Sequence, residues 1–257
     1  MEPLDRSQIA GFAILMEQTD GGFSFSSLTA PTLEDTYFGV GIFQELGIPY
    51  ENEDTIGYIK QTHLRGCPSM LNIYRHLRLL EYFKLKDEMK GYLRRLKPRS
   101  IYRLREAYYL CLSLNFFGDV VFPEWLREKI TSFEVDQLGL VVDTSMRVIL
   151  MKKLSIEFNE GGYLQWFIEA QMYDGGYGHL KKSTAFMETT HWALKALHAL
   201  DATPPDLHGC VEFITGCQCE NGGFGRQIMS LPTLEATYNA TASLNILGNM
   251  QGVRYFG

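Results

Sequence analysis

The sequence is short of positive charge and of cysteine, and each shortage excludes a class of function. Lysine and arginine number 24 against 30 aspartates and glutamates, which gives a net charge of −6 at pH 7. Nucleic-acid binding needs a basic surface, so we expect no nucleic-acid partner. The five cysteines show no spacing typical of a disulfide framework. This pattern favours a reducing compartment, and we expect a cytoplasmic protein.

Long hydrophobic runs and linker-like segments are also missing. The N-terminal stretch IAGFAILM contains eight apolar residues, whereas a membrane span needs about 20. It lacks the cationic flank of a secretion signal and runs directly into EQTDGG. No charged or Pro/Gly-rich linker divides the chain, so we expect residues 1–257 to form a single domain.

A phrase with paired glycines and an aromatic residue recurs three times. It reads QTDGGFSF at 18–25, QMYDGGYG at 171–178 and QCENGGFG at 218–225. Each copy stands between two stretches with helical periodicity. Paired glycines tolerate positive φ and so end a helix. Each phrase therefore predicts a turn between two helices.

Between residues 50 and 160 the phrase is absent, but the helical periodicity continues. We predict six helical hairpins, at about 5–46, 53–83, 87–116, 123–154, 161–200 and 206–247. Six similar hairpins can close on themselves and bury a continuous core. The predicted fold is all-α, an (α/α)6 barrel whose central cavity is framed by the second helix of each hairpin.

Five of these second helices begin with a carboxylate. The aligned acids are Glu34 (followed by Asp35), Glu106, Asp143, Glu188 and Glu235. Acids in a first helical turn stabilise the helix dipole wherever they point, by roughly 0.3–1 kcal/mol each. A ring of acids around a cavity would instead raise one another's pKa and hold a proton donor. Both interpretations stay open at this point.

The Gln-x-x-x-Gly-Gly-Phe/Tyr phrase, followed by LEDTY or LEATY on the next helix, resembles the prenyltransferase and squalene-cyclase repeat family. The resemblance implies an α6–α6 toroid, as in terpenoid cyclases and protein prenyltransferase β subunits. It also implies an apolar central cavity that holds a hydrophobic, isoprenoid-type small molecule.

Zinc-dependent protein prenyltransferases carry an aspartate, a cysteine and a histidine at three aligned positions. This chain has Glu188, Thr190 and Glu235 there. Zinc that activates a thiol prefers soft or imidazole ligands. We therefore expect no zinc site and no other built metal site. Mg²⁺ is expected only if the substrate is a diphosphate.

Class II terpene cyclases carry Asp-x-Asp-Asp-Thr-Ala, whose middle aspartate protonates the substrate. TLEDTY is similar, with Glu34 at the position of the acid and Asp35 after it. LVVDTS also matches at Asp143, although Val142 replaces the acid. We predict a terpene-cyclase-like enzyme that cyclises or isomerises an isoprenoid by protonation. Glu34 and Asp35 would act as the acid and its partner, with Asp143 the next candidate.

The predicted substrate contacts lie on the aligned second helices. They are Tyr37, Phe38, Tyr108, Glu188, His191, Trp192, Glu235 and Tyr238. Aromatic faces stabilise carbocations by about 0.5–2 kcal/mol. Aromatic residues at helical spacing also form ordinary core, so both roles stay open.

Two alternative functions stay open beside the cyclase. One is a zinc-free prenyl-group transferase that binds a prenyl diphosphate through Lys181, Lys182 and Arg226, which lie in turns before second helices. The other is a toroid that binds ligands without catalysis. A second copy of the chain in a homodimer, or residues 248–257, could close the open end of the cavity. A hydrophobic substrate also makes peripheral membrane contact an expectation.

Overall fold

Twelve α-helices make up most of the chain that the computed structural model describes, which is residues 4–26, 28–62, 64, 68–92, 96, 103–118, 124–132 and 140–256. The helices are α1 (Arg6–Leu15), α2 (Leu33–Leu46), α3 (Glu53–Gln61), α4 (Met70–Tyr82), α5 (Lys86–Lys90), α6 (Leu104–Leu114), α7 (Glu124–Ser132), α8 (Val141–Lys153), α9 (Glu160–Ala170), α10 (Met187–Ala199), α11 (Leu207–Gly216) and α12 (Leu234–Gln251). A 3₁₀ helix (Asn115–Phe117) follows α6, and two short strands, β1 (Phe224–Gly225) and β2 (Pro232–Thr233), pair in antiparallel fashion before α12. Within these described ranges, no helix is both long and apolar enough to cross a membrane.

The even-numbered helices form a closed inner ring. Each packs against the next, from α2 through α4, α6, α8 and α10 to α12, and α12 packs against α2. The odd-numbered helices lie outside this ring and pack against their even-numbered neighbours. The six predicted hairpins and the (α/α)6 barrel are therefore confirmed. We call the even-numbered helices the inner helices.

A buried threonine joins each glycine-aromatic phrase to the inner helix that follows it. In all three copies its hydroxyl oxygen accepts a hydrogen bond from the backbone N–H of the aromatic residue 13 positions earlier. The three bonds, donor first, are Phe23 to Thr36 (3.0 Å), Tyr177 to Thr190 (2.9 Å) and Phe224 to Thr237 (2.9 Å). The repeated phrase and the threonine thus form one structural unit, which explains why they recur together.

The first glycine of each phrase holds the turn against the next outer helix. Gly21, Gly175 and Gly222 have φ values of 85°, 83° and 87°, in the region that favours glycine. A Cβ atom at Gly175 would overlap the backbone of Gly209 in α11, and one at Gly222 would overlap the carbonyl group of Gln8 in α1. The contact at Gly222 joins the sixth hairpin to the first and so closes the ring.

Replacing Thr237 by valine is expected to lower the free energy of unfolding by about 1–3 kcal/mol, because the buried N–H of Phe224 would lose its acceptor. Urea denaturation followed by circular dichroism measures this loss. Thr241→Val is the matched control, since Thr241 is also buried on α12 but bonds only to carbonyl groups of its own helix. Equal losses in the two variants would contradict the role given to Thr237.

The C-terminal tail lies at the end of the barrel where the inner helices finish. Leu4 N–H donates to the carbonyl oxygen of Tyr255 at 2.8 Å. Arg6 donates to the carbonyl oxygens of Leu46, at the end of α2, and of Phe256. The described tail therefore cannot close the opposite end of the barrel, where the inner helices begin. The prediction that residues 248–257 close the cavity is wrong for the residues up to 256.

Candidate functional site

The inner ring encloses a cavity of about 190 Å³ at the end where the inner helices begin. We call the opening beside the first helical turns the mouth. Helices α2, α4, α6, α10 and α12 line the cavity, and no described residue of α8 does. Most of the lining side chains carry a polar atom as well as an apolar or aromatic body; the purely hydrocarbon ones are Phe38, Leu71 and Leu112.

Charged side chains surround the mouth. Arg75 donates to the carboxylate of Glu34 at 2.5 Å, and the Arg75 side chain is only 8% exposed. Arg105 lies 4.0 Å from the carboxylate of Glu188, and its side chain is 52% exposed. Glu235 lines the same mouth. Arg105 is thus the more accessible of the two guanidinium groups.

Glu235 is a carboxyl group at the mouth whose pKa is raised. Burial raises its pKa, and the negative charges of Glu188 and Glu34 raise it further. The positive charges of Arg75 and Arg226 oppose this effect without cancelling it. A carboxyl group with a raised pKa keeps its proton to a higher pH than a free carboxyl group, which suits it to act as a general acid.

Five tyrosines form much of the cavity wall: Tyr37, Tyr74, Tyr108, Tyr109 and Tyr238. The rings of Tyr37 and Tyr238 are 5.7 Å apart, and their hydroxyl oxygens are 3.5 Å apart. Burial raises the pKa of all five hydroxyl groups, so they stay neutral at physiological pH. The wall therefore offers both aromatic faces and hydroxyl groups to a ligand.

Lys195 lies deeper in the cavity, seven residues after Glu188 on α10, which is about 10 Å along the helix axis. Its ammonium nitrogen donates to the hydroxyl oxygen of Tyr108 at 3.3 Å and lies 4.3 Å from the centre of the Trp192 ring. Burial lowers the pKa of the Lys195 amine to about 8. Burial, together with the charge of Lys195, holds the pKa of His191 well below its usual value.

The structure brings together all the residues predicted from the sequence to contact a substrate. Each of them lines the central cavity: Tyr37, Phe38, Tyr108, Glu188, His191, Trp192, Glu235 and Tyr238. Their role in binding a substrate stays a prediction.

The predicted catalytic acids are not assembled in the cavity. Glu34 lines the mouth, but it serves there as the ion-pair partner of Arg75. The carboxylate of Asp35 accepts a hydrogen bond from the Thr32 hydroxyl at 2.8 Å, and Asp35 does not line the central cavity. Successive helical residues point about 100° apart, so only one of the adjacent acids can face the barrel axis. Asp143 lies on α8 and is also outside the cavity lining.

Of the three cations predicted to bind a diphosphate, Lys181 and Lys182 lie away from the central cavity, whereas Arg226 lines a neighbouring pocket that shares Glu34 and Glu235 with it. Lys181 forms an ion pair with Glu169 on the outer helix α9 at 2.8 Å. Lys182 is exposed. The guanidinium of Arg226 lies 5.0 Å from the centre of the Phe186 ring. None of the three lines the central cavity itself.

The cations that do line the cavity are Arg75, Arg105 and Lys195. The sequence contains a usable indication for Lys195, because it follows Glu188 by seven residues and His191 by four, and so shares their helix face. Arg75 meets Glu34 only because α4 packs beside α2, which no local pattern predicts.

No group of three or more His, Cys, Asp or Glu side chains in the described part of the chain is arranged to bind a metal ion. At the positions that match the zinc ligands of protein prenyltransferases, the Thr190 hydroxyl is already the acceptor for the Tyr177 N–H. Glu188 faces Arg105, and Glu235 has a raised pKa. These residues do not fit a thiol-activating zinc site.

Comparisons with known proteins agree with this architecture. No curated protein matches the sequence significantly. Among solved structures, the chain is similar to Candida albicans protein geranylgeranyltransferase-I complexed with GGPP, with a TM-score of 0.72 and 15% sequence identity over 96% of this chain and 92% of that chain. At this identity the likeness shows the fold alone. The model of the prenyltransferase alpha-alpha toroid domain family matches residues 1–186 and 180–255, so the chain belongs to that family.

Proposed function

We propose that this protein is a zinc-free prenyl-group transferase that acts on a short prenyl diphosphate. The observation that carries the proposal is the position of Arg75 and Arg105 at the mouth of a cavity with aromatic walls. Membership of the prenyltransferase alpha-alpha toroid domain family supports the same reaction class.

The two guanidinium groups suit a diphosphate at the mouth. A guanidinium presents planar, paired N–H donors that match phosphate oxygens. Arg105 is half exposed and only loosely paired with Glu188 at 4.0 Å, so it can turn to a ligand at little cost. Arg75 is held by Glu34 at 2.5 Å and offers its remaining N–H groups; its Nε has no partner among the described residues.

Three carboxylates at the mouth, those of Glu34, Glu188 and Glu235, would repel a bare diphosphate. Mg²⁺ binds hard oxygen ligands and is commonly held by one or two carboxylates together with substrate phosphates. Glu188 is suited to this role when a magnesium–diphosphate complex enters. The magnesium would neutralise charge on the departing diphosphate.

The size of the cavity favours a short chain. Its volume of about 190 Å³ lies below the roughly 300–1,000 Å³ of typical ligand pockets. The rings of Tyr37, Phe38 and Tyr238, which lie 5.3–5.7 Å from one another, occupy part of the space between α2 and α12. A geranyl chain is therefore a better test substrate than a longer one.

The chain's own residues can support the transfer step. The bond between C1 of the prenyl group and its bridging oxygen breaks, and the electron pair leaves with the diphosphate, which Arg105 and Arg75 bind. The faces of Tyr37 and Tyr238 stabilise positive charge on the allylic carbon. The acceptor's nucleophile then bonds to C1, and its proton passes to the carboxylate of Glu235, whose raised pKa favours proton uptake.

Purified protein incubated with geranyl diphosphate, magnesium and a panel of small nucleophiles is expected to release inorganic diphosphate and form prenylated products. A colorimetric diphosphate assay and mass spectrometry measure these outcomes. The Arg75→Gln and Arg105→Gln variants are expected to lose the release, while Arg103→Gln, which removes an exposed charge just before α6, keeps it. No diphosphate release and no binding of geranyl diphosphate would contradict the proposal.

A second candidate function is isomerisation or cyclisation started by protonation, and the raised pKa of Glu235 favours it. Glu235, rather than Glu34 or Asp35, would then donate the proton. A product isomeric with its substrate, formed without diphosphate release and lost in Glu235→Gln, would identify this reaction instead of transfer.

A further inference from the structure

Lys195 places a positive charge inside the central cavity without a direct ion-pair partner among the described residues, although the negative charge of Glu45 acts on it from a greater distance. Among the described residues, no carboxylate oxygen lies within 4.0 Å of its ammonium nitrogen, which is the distance limit for an ion pair. Its contacts are the Tyr108 hydroxyl at 3.3 Å and the rings of Trp192 at 4.3 Å and Tyr108 at 5.8 Å. These contacts compensate for part of the hydration that the ammonium group loses on burial.

The Tyr108 hydroxyl group can still donate its hydrogen to a ligand. It accepts from Lys195, and the structure shows no acceptor for its own hydrogen among the described residues. An ammonium group and a hydroxyl donor, held together by one hydrogen bond inside a cavity, form a pair of donors that suits the two oxygens of a carboxylate.

We propose that Lys195 and Tyr108 form an anion subsite at the inner end of the central cavity, and that it binds a carboxylate group of the ligand. The subsite stands on these contacts alone. Its consequence for the substrate rests on the proposed function: the cavity would take a short prenyl diphosphate whose far end carries a carboxylate.

The spacing of the two charged regions agrees with a short ligand. The seven residues from Glu188 at the mouth to Lys195 correspond to about 10 Å along α10. A plain prenyl chain would have to place its hydrocarbon end against the ammonium group and remove water from it, which is unfavourable. A carboxylate at that end would supply the direct ion-pair partner that Lys195 lacks among the described residues, since Glu45 acts on it only from beyond ion-pair distance.

Two simple probes separate the inner subsite from the mouth. Octanoate carries a carboxylate on a short chain and no phosphate, and geranyl diphosphate carries a diphosphate and no carboxylate. Binding of each is measured by isothermal titration calorimetry to the wild-type protein and to Lys195→Met, Tyr108→Phe and Arg105→Gln. Lys60→Met, an exposed lysine on α3, is the control, and circular dichroism checks the fold of each variant.

Octanoate is expected to bind the wild-type protein and to lose affinity by about tenfold or more in Lys195→Met. Tyr108→Phe should weaken it by a smaller factor, while Arg105→Gln and Lys60→Met leave it within about twofold. The affinity for geranyl diphosphate should instead fall in Arg105→Gln and not in Lys195→Met. Octanoate that does not bind, or binds equally to wild type and both subsite variants, overturns the inference even if geranyl diphosphate binds. Octanoate binding that depends on Lys195, without any binding of geranyl diphosphate, supports the subsite and contradicts the proposed function.

Discussion

Replacing Arg105 by glutamine is expected to weaken the binding of geranyl diphosphate by about 10- to 150-fold. Hydrogen bonds to charged groups are worth about 1.5–3 kcal/mol, and about 1.4 kcal/mol corresponds to a factor of ten. Of the two guanidinium groups that line the cavity among the described residues, that of Arg105 is the more accessible, so it is placed to make such bonds. Isothermal titration calorimetry measures the dissociation constant directly when the acceptor is left out, because no transfer can then occur.

Arg103→Gln tests whether the effect comes from a contact or only from net charge. Arg103 is exposed, precedes α6 and does not line the cavity. Its replacement by glutamine changes the net charge by the same amount as Arg105→Gln but removes no group from the cavity. We expect it to change the affinity by less than about threefold at physiological salt, because distant surface charges are screened. Equal losses in the two variants would show that Arg105 makes no direct contact with the diphosphate.

Replacing Gly222 by alanine is expected to lower the free energy of unfolding by at least about 3 kcal/mol. Its φ of 87° is strained for alanine, and the added Cβ would overlap the carbonyl group of Gln8. The backbone of the turn or of α1 must move to relieve this overlap. Because the contact closes the ring, the movement separates the last hairpin from the first. Thermal and urea denaturation measure the change.

Gly252→Ala is the matched control for backbone strain. Gly252 has a φ of 68°, yet a Cβ there would meet nothing within 4 Å. It is expected to cost about 1 kcal/mol, from strain alone. A Gly222→Ala variant no less stable than Gly252→Ala would mean that the close approach to α1 contributes nothing to closure.

The fold was predictable because its key contacts repeat in the sequence. The aromatic residue of each phrase stands 13 residues before the threonine that accepts its backbone N–H. The contact is therefore local in the sequence, and the same residue pattern recurs at each copy. Ring closure follows from six similar hairpins, each with one face to bury. The largest error at a helix end is at α12, which reaches Gln251 instead of residue 247.

The site was predictable only in part, because function depends on which helix face points to the axis. Aromatic positions aligned with Tyr37 and Tyr238 do face the cavity. The adjacent acids Glu34 and Asp35 could not be told apart, since the sequence does not show which of them faces the barrel axis; the carboxylate of Asp35 instead accepts a hydrogen bond from the Thr32 hydroxyl. Arg75 reaches Glu34 across 41 residues of sequence, and only the assembled ring brings the two together.

Contacts between the first and the sixth hairpin make the order of the hairpins cyclic in space. Leu4 is hydrogen-bonded to Tyr255, and Gly222 packs against α1, so the sixth hairpin adjoins the first in space as well as the fifth. If a linker joined Leu4 to Tyr255 and the chain were cut between α8 and α9, the same helices would still pack against one another. We therefore expect circular permutation at the hairpin junctions to preserve the fold. The ring of inner helices that encloses the cavity therefore has no first or last member in space.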